Sequence, residues 1–190
     1  MKILVSLAVI LLAARALADD TPLDEAASTL RFTGHAFLHD FHGEAKEFHG
    51  AAQIDLARPE LVRTARIDIT TAKMTTLVDE RDRNMDTWLN VTANPNIRFE
   101  LTKVTPVAGD VTHATKANPA LFTVRGTLRL NRVDKPLVTT ASAWCEGQRL
   151  IIEGTTQIDT ADHGLPEVRT LFLTVDKNVD VAFHLVFELP

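Results

Sequence analysis

Apolar and polar residues alternate with a period of two along most of the chain. Ile67 and Ile69 are interleaved with Arg66, Asp68 and Thr70, and Ile97, Phe99 and Leu101 with Arg98, Glu100 and Thr102. Phe122, Val124, Gly126, Leu128 and Leu130 form a third stripe, and Val179, Val181, Phe183, Leu185 and Phe187 the longest. Each run predicts a strand with one face inward and one toward water, which is the signature of antiparallel sheets. Short breaks at Arg58-Pro59-Glu60, Glu146-Gly147-Gln148 and Asp176-Lys177-Asn178 read as turns. Thr105 to Pro119 has no period and reads as the longest loop. Roughly eight strands follow, a number that suits a closed barrel; a two-sheet sandwich fits the same periodicity. Gly50, Gly126 and Gly154 are expected where strands coil or bulge to close it.

One segment departs from the strand pattern. In Asp79 to Asn90, Arg81, Met85, Trp88 and Leu89 share a helical face. Asp79 can cap the start, Glu80 and Asp82 suit the positive end of the helix dipole, and Asn94-Pro95 stops it. The expected fold is therefore all-β: a single antiparallel, roughly eight-stranded barrel with one short helix covering an end or edge.

Composition adds compartment. Met1-Lys2, the apolar run Ile3 to Ala14 and Ala16-Leu17-Ala18 read as a signal peptide spanning residues 1–18, with cleavage between Ala18 and Asp19. The run is short for a membrane span, which wants about 20 residues. Residues 19–190 then form one domain, expected to be soluble and periplasmic or secreted. Loss of Lys2 and Arg15 shifts the formal charge from −5 to −7, with no basic patch for nucleic acid. The lone Cys145 forms no internal disulfide and reads as a buried, inert thiol.

Two groups of residues carry candidate chemistry. His35, His39, His42 and His49 lie among Asp40, Glu44 and Glu47. Imidazole with carboxylate suits Zn, Cu or Fe, although the spacing matches no closed zinc signature. The plainer account is exposed or hydrogen-bonded histidines beside a turn. Arg81 suits a phosphate or planar acceptor at a barrel mouth, and equally a structural pairing. No Gly-x-Ser-x-Gly elbow, phosphate loop or His-Glu-x-x-His occurs, so no catalytic residues are assigned and no enzyme activity is expected.

Several segments, in order, carry a resemblance. Thr29-Leu30-Arg31-Phe32 and Leu38 to Gly43 open the pattern. Arg81-Asp82-Arg83-Asn84-Met85, Leu89 and Asn94-Pro95-Asn96-Ile97-Arg98-Phe99 are its most specific part, and Val124 to Leu128 and Val179 to Leu185 complete it. This order resembles the YceI-like family over nearly all of residues 19–190. The resemblance implies a lipocalin-like barrel, exported in bacteria, holding a polyisoprenoid-type ligand. The chain departs from the family pattern at Asn131-Arg132, where many members have a His-Gly turn, and in having no Tyr.

The expected function is an exported binding protein enclosing a long-chain isoprenoid, quinone-like or other amphiphilic lipid, with no other cofactor. Phe32, Phe41, Ile54, Ile69, Phe99, Phe122, Leu128, Trp144, Phe183 and Leu185 are the candidates to line its cavity, and Arg81 to meet the head. Any of these could instead be filler in a packed barrel. Two alternatives stand beside this reading. One is a metal- or haem-associated redox accessory using the His35–His49 segment, beside a membrane cytochrome. The other is a filled barrel that acts through its surface. A homodimer is left open.

Overall fold

The structure, a computed structural model, describes residues 20–36, 39–55, 64–168 and 174–189. The signal-peptide segment and the turn expected at Arg58-Pro59-Glu60 lie outside the described residues. The chain forms β1 (Thr21–Pro22), β2 (Thr29–Ala36), β3 (Phe41–Ala45), β4 (Phe48–Ala52), β5 (Ala65–Thr70) and β6 (Met74–Thr75). The helix α1 (Asp79–Leu89) follows. Then come β7 (Asn96–Ala108), β8 (Ala120–Leu130), β9 (Val133–Glu146), β10 (Arg149–Asp159) and β11 (Val175–Glu188).

All strands belong to one sheet in the order β1-β4-β5-β7-β8-β9-β10-β11-β2-β3-β6, and the pairings are antiparallel. β3 and β4 lie toward opposite ends of that order, yet only Lys46 and Glu47 separate them in the chain. At this bend Lys46 N–H donates to Lys73 O (2.9 Å) and Thr70 N–H to Glu47 O (3.0 Å). The ladder thus continues round the corner and the sheet curls into a barrel. The described residues form eleven strands, not roughly eight. Two long runs break into halves, at Lys46-Glu47 and at the 3-10 turn Thr71–Lys73, and β1 adds a two-residue strand.

Two further expectations are corrected. Asp176-Lys177-Asn178 is no turn: it lies within β11, where the register with β2 shifts between Val175 and Val179. The long loop is shorter than Thr105–Pro119, because β7 continues to Ala108 through a shift after Pro106 that leaves Val107 exposed. An earlier bulge, between Leu101 and Lys103, switches the inward parity of β7 from Ile97, Phe99 and Leu101 to Val104.

α1 lies across part of one end of the barrel. Val78, extended, holds the N-cap position, and Asp79 is the first helical residue instead of the cap. The anchoring acid is Asp82. Its carboxylate accepts from Thr75 Oγ1 (2.6 Å), Thr76 N–H (2.7 Å) and Thr76 Oγ1 (2.6 Å). Burial opposes its ionisation, but these bonds prevail and hold its pKa below the ordinary carboxylate value. Asn90 ends the helix in a left-handed conformation (φ 49°). The β8–β9 hairpin supports this end through Asn131 (φ 50°) and Arg132 (φ 61°), a pair of left-handed residues as a type I′ turn requires. Asn131 accepts from Asn94 Nδ2 (3.0 Å) and donates to His163 O (3.0 Å). Arg132 donates to Ala93 O (2.6 Å). The Asn131-Arg132 departure noted above is therefore a polar tie between three loops.

Candidate ligand-binding cavity

The inward faces of the strands enclose a cavity of about 1020 Å³. Nine of the expected lining residues border it: Phe32, Phe41, Ile54, Ile69, Phe99, Phe122, Leu128, Phe183 and Leu185. A packed barrel interior would leave no such space. The reason it stays open lies in paired glycines and phenylalanines. A Cβ on Gly34 would stand 2.2 Å from Phe41 Cζ, one on Gly43 2.2 Å from Phe32 Cζ, and one on Gly154 2.4 Å from Phe183 Cζ. Each of these glycines is the register partner of that phenylalanine on the next strand. Gly126 also seats the Phe99 ring, although its register partner is Leu101. Each ring occupies space beside bare backbone that a Cβ would fill, while the ring still borders the open lumen. Gly154 and Gly126 thus serve as ring seats more than as coiling points; only Gly126 adjoins a bulge.

Trp144 does not line the cavity. Alternation along β9 sends Leu137, Thr139, Ala141 and Ala143 inward and Trp144 to the outer face. There it packs with its register neighbours Ile151 and Val186 under Ala27 and Ala114. It is 2% exposed, and its indole N–H donates to Glu146 Oε1 (2.8 Å). Cys145, next along, is half-buried against the inner core, and burial pushes its thiol pKa up.

The two ends of the cavity differ. At the far end Leu23, Val111, Ala120, Leu150 and Phe187 form one buried cluster. At the α1 end, cavity-lining residues are exposed to solvent: His39, Asn84, Glu167, Asp176 and Lys177. This end is the mouth. Met85 and Trp88 of α1 line it beside Arg81, and Trp88 Nε1 fixes the helix by donating to Pro166 O (2.7 Å). The guanidinium of Arg81 stands 5.1 Å from the Phe41 ring centroid, a cation–π contact. Lys177 is committed to Asp159 (2.6 Å), which raises the Lys177 pKa and lowers that of Asp159. Arg81, by contrast, has no ion-pair partner among the described residues.

The histidines do not converge. His39 lines the mouth. His42 Nδ1 bonds Thr33 Oγ1 (2.9 Å), and His49 Nδ1 bonds Glu25 Oε1 (2.6 Å), a carboxylate that raises the His49 pKa. His35 bridges Asp180 (Nε2, 2.9 Å) and Asp40 (Nδ1, 3.0 Å). A neutral imidazole has a single N–H, so this double bridge belongs to the imidazolium, and the two carboxylates, Asp180 foremost, raise the His35 pKa. Among the described residues no group of three or more His, Cys, Asp and Glu side chains is placed to hold a metal ion.

Comparison with known proteins agrees with this architecture. The YceI-like domain model matches residues 22–187. The chain belongs to the YceI-like family. A UPF0312 protein of Azotobacter vinelandii is 29% identical over 140 residues, which are 70% of this chain; the match spans 66% of that relative's length. The solved structure of Burkholderia cenocepacia BcnA superposes with a TM-score of 0.74 at 16% identity, covering 86% of this chain and 98% of that one. A polyisoprenoid-binding domain from Saccharophagus degradans gives 0.69 at 19% identity, covering 89% and 98%. The Campylobacter jejuni YceI protein gives 0.61 at 16% identity, covering 78% and 85%. At such identities these structures establish the shared YceI-like barrel and nothing finer.

Sequence reasoning missed the mouth residues Asn84, Glu167, Asp176 and Lys177. Asn84 was open to detection, since it sits three residues after Arg81 on the helix. Glu167 follows Pro166, which accepts from Trp88, and Asp176 and Lys177 lie at the start of β11; these placements are tertiary and leave no periodic signal in the sequence.

Proposed function

We propose that this chain is an exported binding protein that encloses the tail of a long-chain isoprenoid, quinone-like or other amphiphilic lipid. The observation that carries this reading is the open apolar cavity of about 1020 Å³, at the top of the roughly 300–1,000 Å³ span of small-molecule sites. Such a volume favours enclosure over a filled barrel acting through its surface. Burial gains about 0.8 kcal/mol per methylene, so a long tail is held with few hydrogen bonds. The polyisoprenoid-binding description of the Saccharophagus relative supports the same class of cargo. Arg81, held at the mouth over Phe41 without an ion-pair partner among the described residues, is the group we assign to the head.

Export rests on the residue 1–18 segment and places the protein in the periplasm or outside the cell. The test is purification from the native host, organic extraction and mass spectrometry. A stoichiometric long-chain lipid is expected. Protein recovered without one, even from gentle preparations offered an isoprenoid or quinone, would overturn the carrier reading. With cargo retained, Arg81→Met is expected to weaken binding of lipids with anionic heads about ten-fold and of headless hydrocarbons little.

A further inference from the structure

Between β6 and α1, Leu77 is 78% exposed and Val78 44% exposed. An exposed leucine is ordinary on its own; this one is also held in an unfavourable conformation. Its φ is +61°, in the left-handed region that a branched side chain seldom adopts. It is held there from both sides. Leu77 N–H donates to Thr75 Oγ1 (3.0 Å), and Thr76 is fixed by two bonds to Asp82. The barrel thus spends hydrogen bonds to present an apolar side chain to water, where a glycine would sit without strain.

The position is equally specific. Leu77 and Val78 lie between Met74 and Arg81, both of which border the cavity mouth. The surrounding charge is balanced: over residues 71–83, Lys73, Arg81 and Arg83 offset Asp79, Glu80 and Asp82. The chain as a whole is −5, so its acidic surface is repelled by an anionic bilayer, while this tip is not. A neutral rim with apolar points matches a bilayer surface rich in zwitterionic lipid. An apolar cargo also gains most from a mouth that opens against the phase in which it dissolves, because crossing water exposes every methylene.

We infer that Leu77 and Val78 are a membrane-contact tip that seats the cavity mouth on a lipid surface during loading or release. The inference rests on the carrier reading for its purpose, although contact itself needs no cargo. Two side chains give a weak, reversible association, unlike an anchor.

Trp88 at the mouth and Trp144 on the far outer face permit an oriented test. A Trp144→Phe background leaves Trp88 as the sole tryptophan. The protein is purified as its cell makes it, its N-terminus is read by mass spectrometry, and every variant is required to share that N-terminus. Vesicles of phosphatidylcholine brominated on the acyl chains are then added. Trp88 emission is expected to be quenched, and a Leu77→Asp/Val78→Asp double variant to reduce apparent binding about ten-fold. Leu77→Gly is expected to lose quenching while melting no lower than the parent, which separates loss of the tip from loss of fold. Absent quenching in the parent, or equal quenching in both variants, overturns the inference. Because the vesicles carry no isoprenoid, that result leaves the carrier reading to the extraction experiment.

Discussion

At the far end of the barrel Leu23, Val111 and Ala120 close the cavity with buried apolar side chains; at the mouth, hydrogen bonds of Asp82 tie α1 to Thr76, those of Asn131 tie the β8–β9 turn to Asn94, and those of His35 tie β2 to β11. Apolar closure has no geometry to lose until water enters, so it resists in proportion to the area it buries. A polar tie is directional and contributes about 0.5–1.5 kcal/mol net each. The far end therefore sets stability and the mouth sets access. A binding protein gains from this division, because its entrance can move without unfolding its base.

The largest expected effect lies on the outer face near the far end. Trp144→Ala empties the outer-face space beside Ile151 and should lower stability by roughly 3–5 kcal/mol in urea unfolding, while the folded fraction loads lipid normally. Reduced loading by fully folded protein would contradict the outward placement of the indole. Next is Gly34→Val, near the mouth. It forces the Phe41 ring off its seat and costs about 1–3 kcal/mol. Its larger consequence is a narrowed lumen, so retained lipid measured by extraction should fall. Unchanged loading would show that the ring seats do not set the bore.

Asp82→Ala removes the acceptor of three bonds and should cost about 1–3 kcal/mol, with exchange of α1 amides accelerating before the strands. The folded pKa of Asp82 lies below the usual 3.8. Its contribution is therefore present above that value and is lost as pH falls through the folded one. Smallest is the effect of His35. Its folded pKa is raised above 6.5, so its contribution is complete below that value and disappears as pH rises through the folded one. Comparing melting at about pH 5 and about pH 9, the parent should lose slightly more than His35→Gln; identical profiles would mean the double bridge to Asp40 and Asp180 carries no net stabilisation.

Much of this division was legible in the sequence. Six of the expected lining residues, Ile69, Phe99, Phe122, Leu128, Phe183 and Leu185, lie on the period-two stripes and border the cavity, because strand parity is set by local sterics. The α1 face of Arg81, Met85, Trp88 and Leu89 was equally plain, and all four border the cavity. Trp144 was misplaced, though a signal was present. Ala143-Trp144-Cys145, Leu150-Ile151-Ile152 and Leu185-Val186-Phe187 are consecutive apolar triplets. Alternation cannot bury all three members on one face, so such triplets announce a second apolar patch outside. That Trp144, Ile151 and Val186 share one register row could not be read, because register between strands is a tertiary property. The bend at Lys46-Glu47 was hidden for the same reason: only the pairing of β3 with β6 and of β4 with β5 reveals it.

The pairing of β2 with β11 has a consequence for how the molecule is made. These strands lie at opposite ends of the chain, and the His35–Asp180 contact alone spans 145 residues. During synthesis β2 must wait for its partner until nearly the whole chain has emerged, with its apolar side chains Leu30 and Phe32 uncovered. Neighbouring hairpins such as β8–β9 can form at once, but the seam cannot. Final closure is thus a late, slow, all-or-none step, and in that interval the open edge is where a holding chaperone would find the chain most worth protecting.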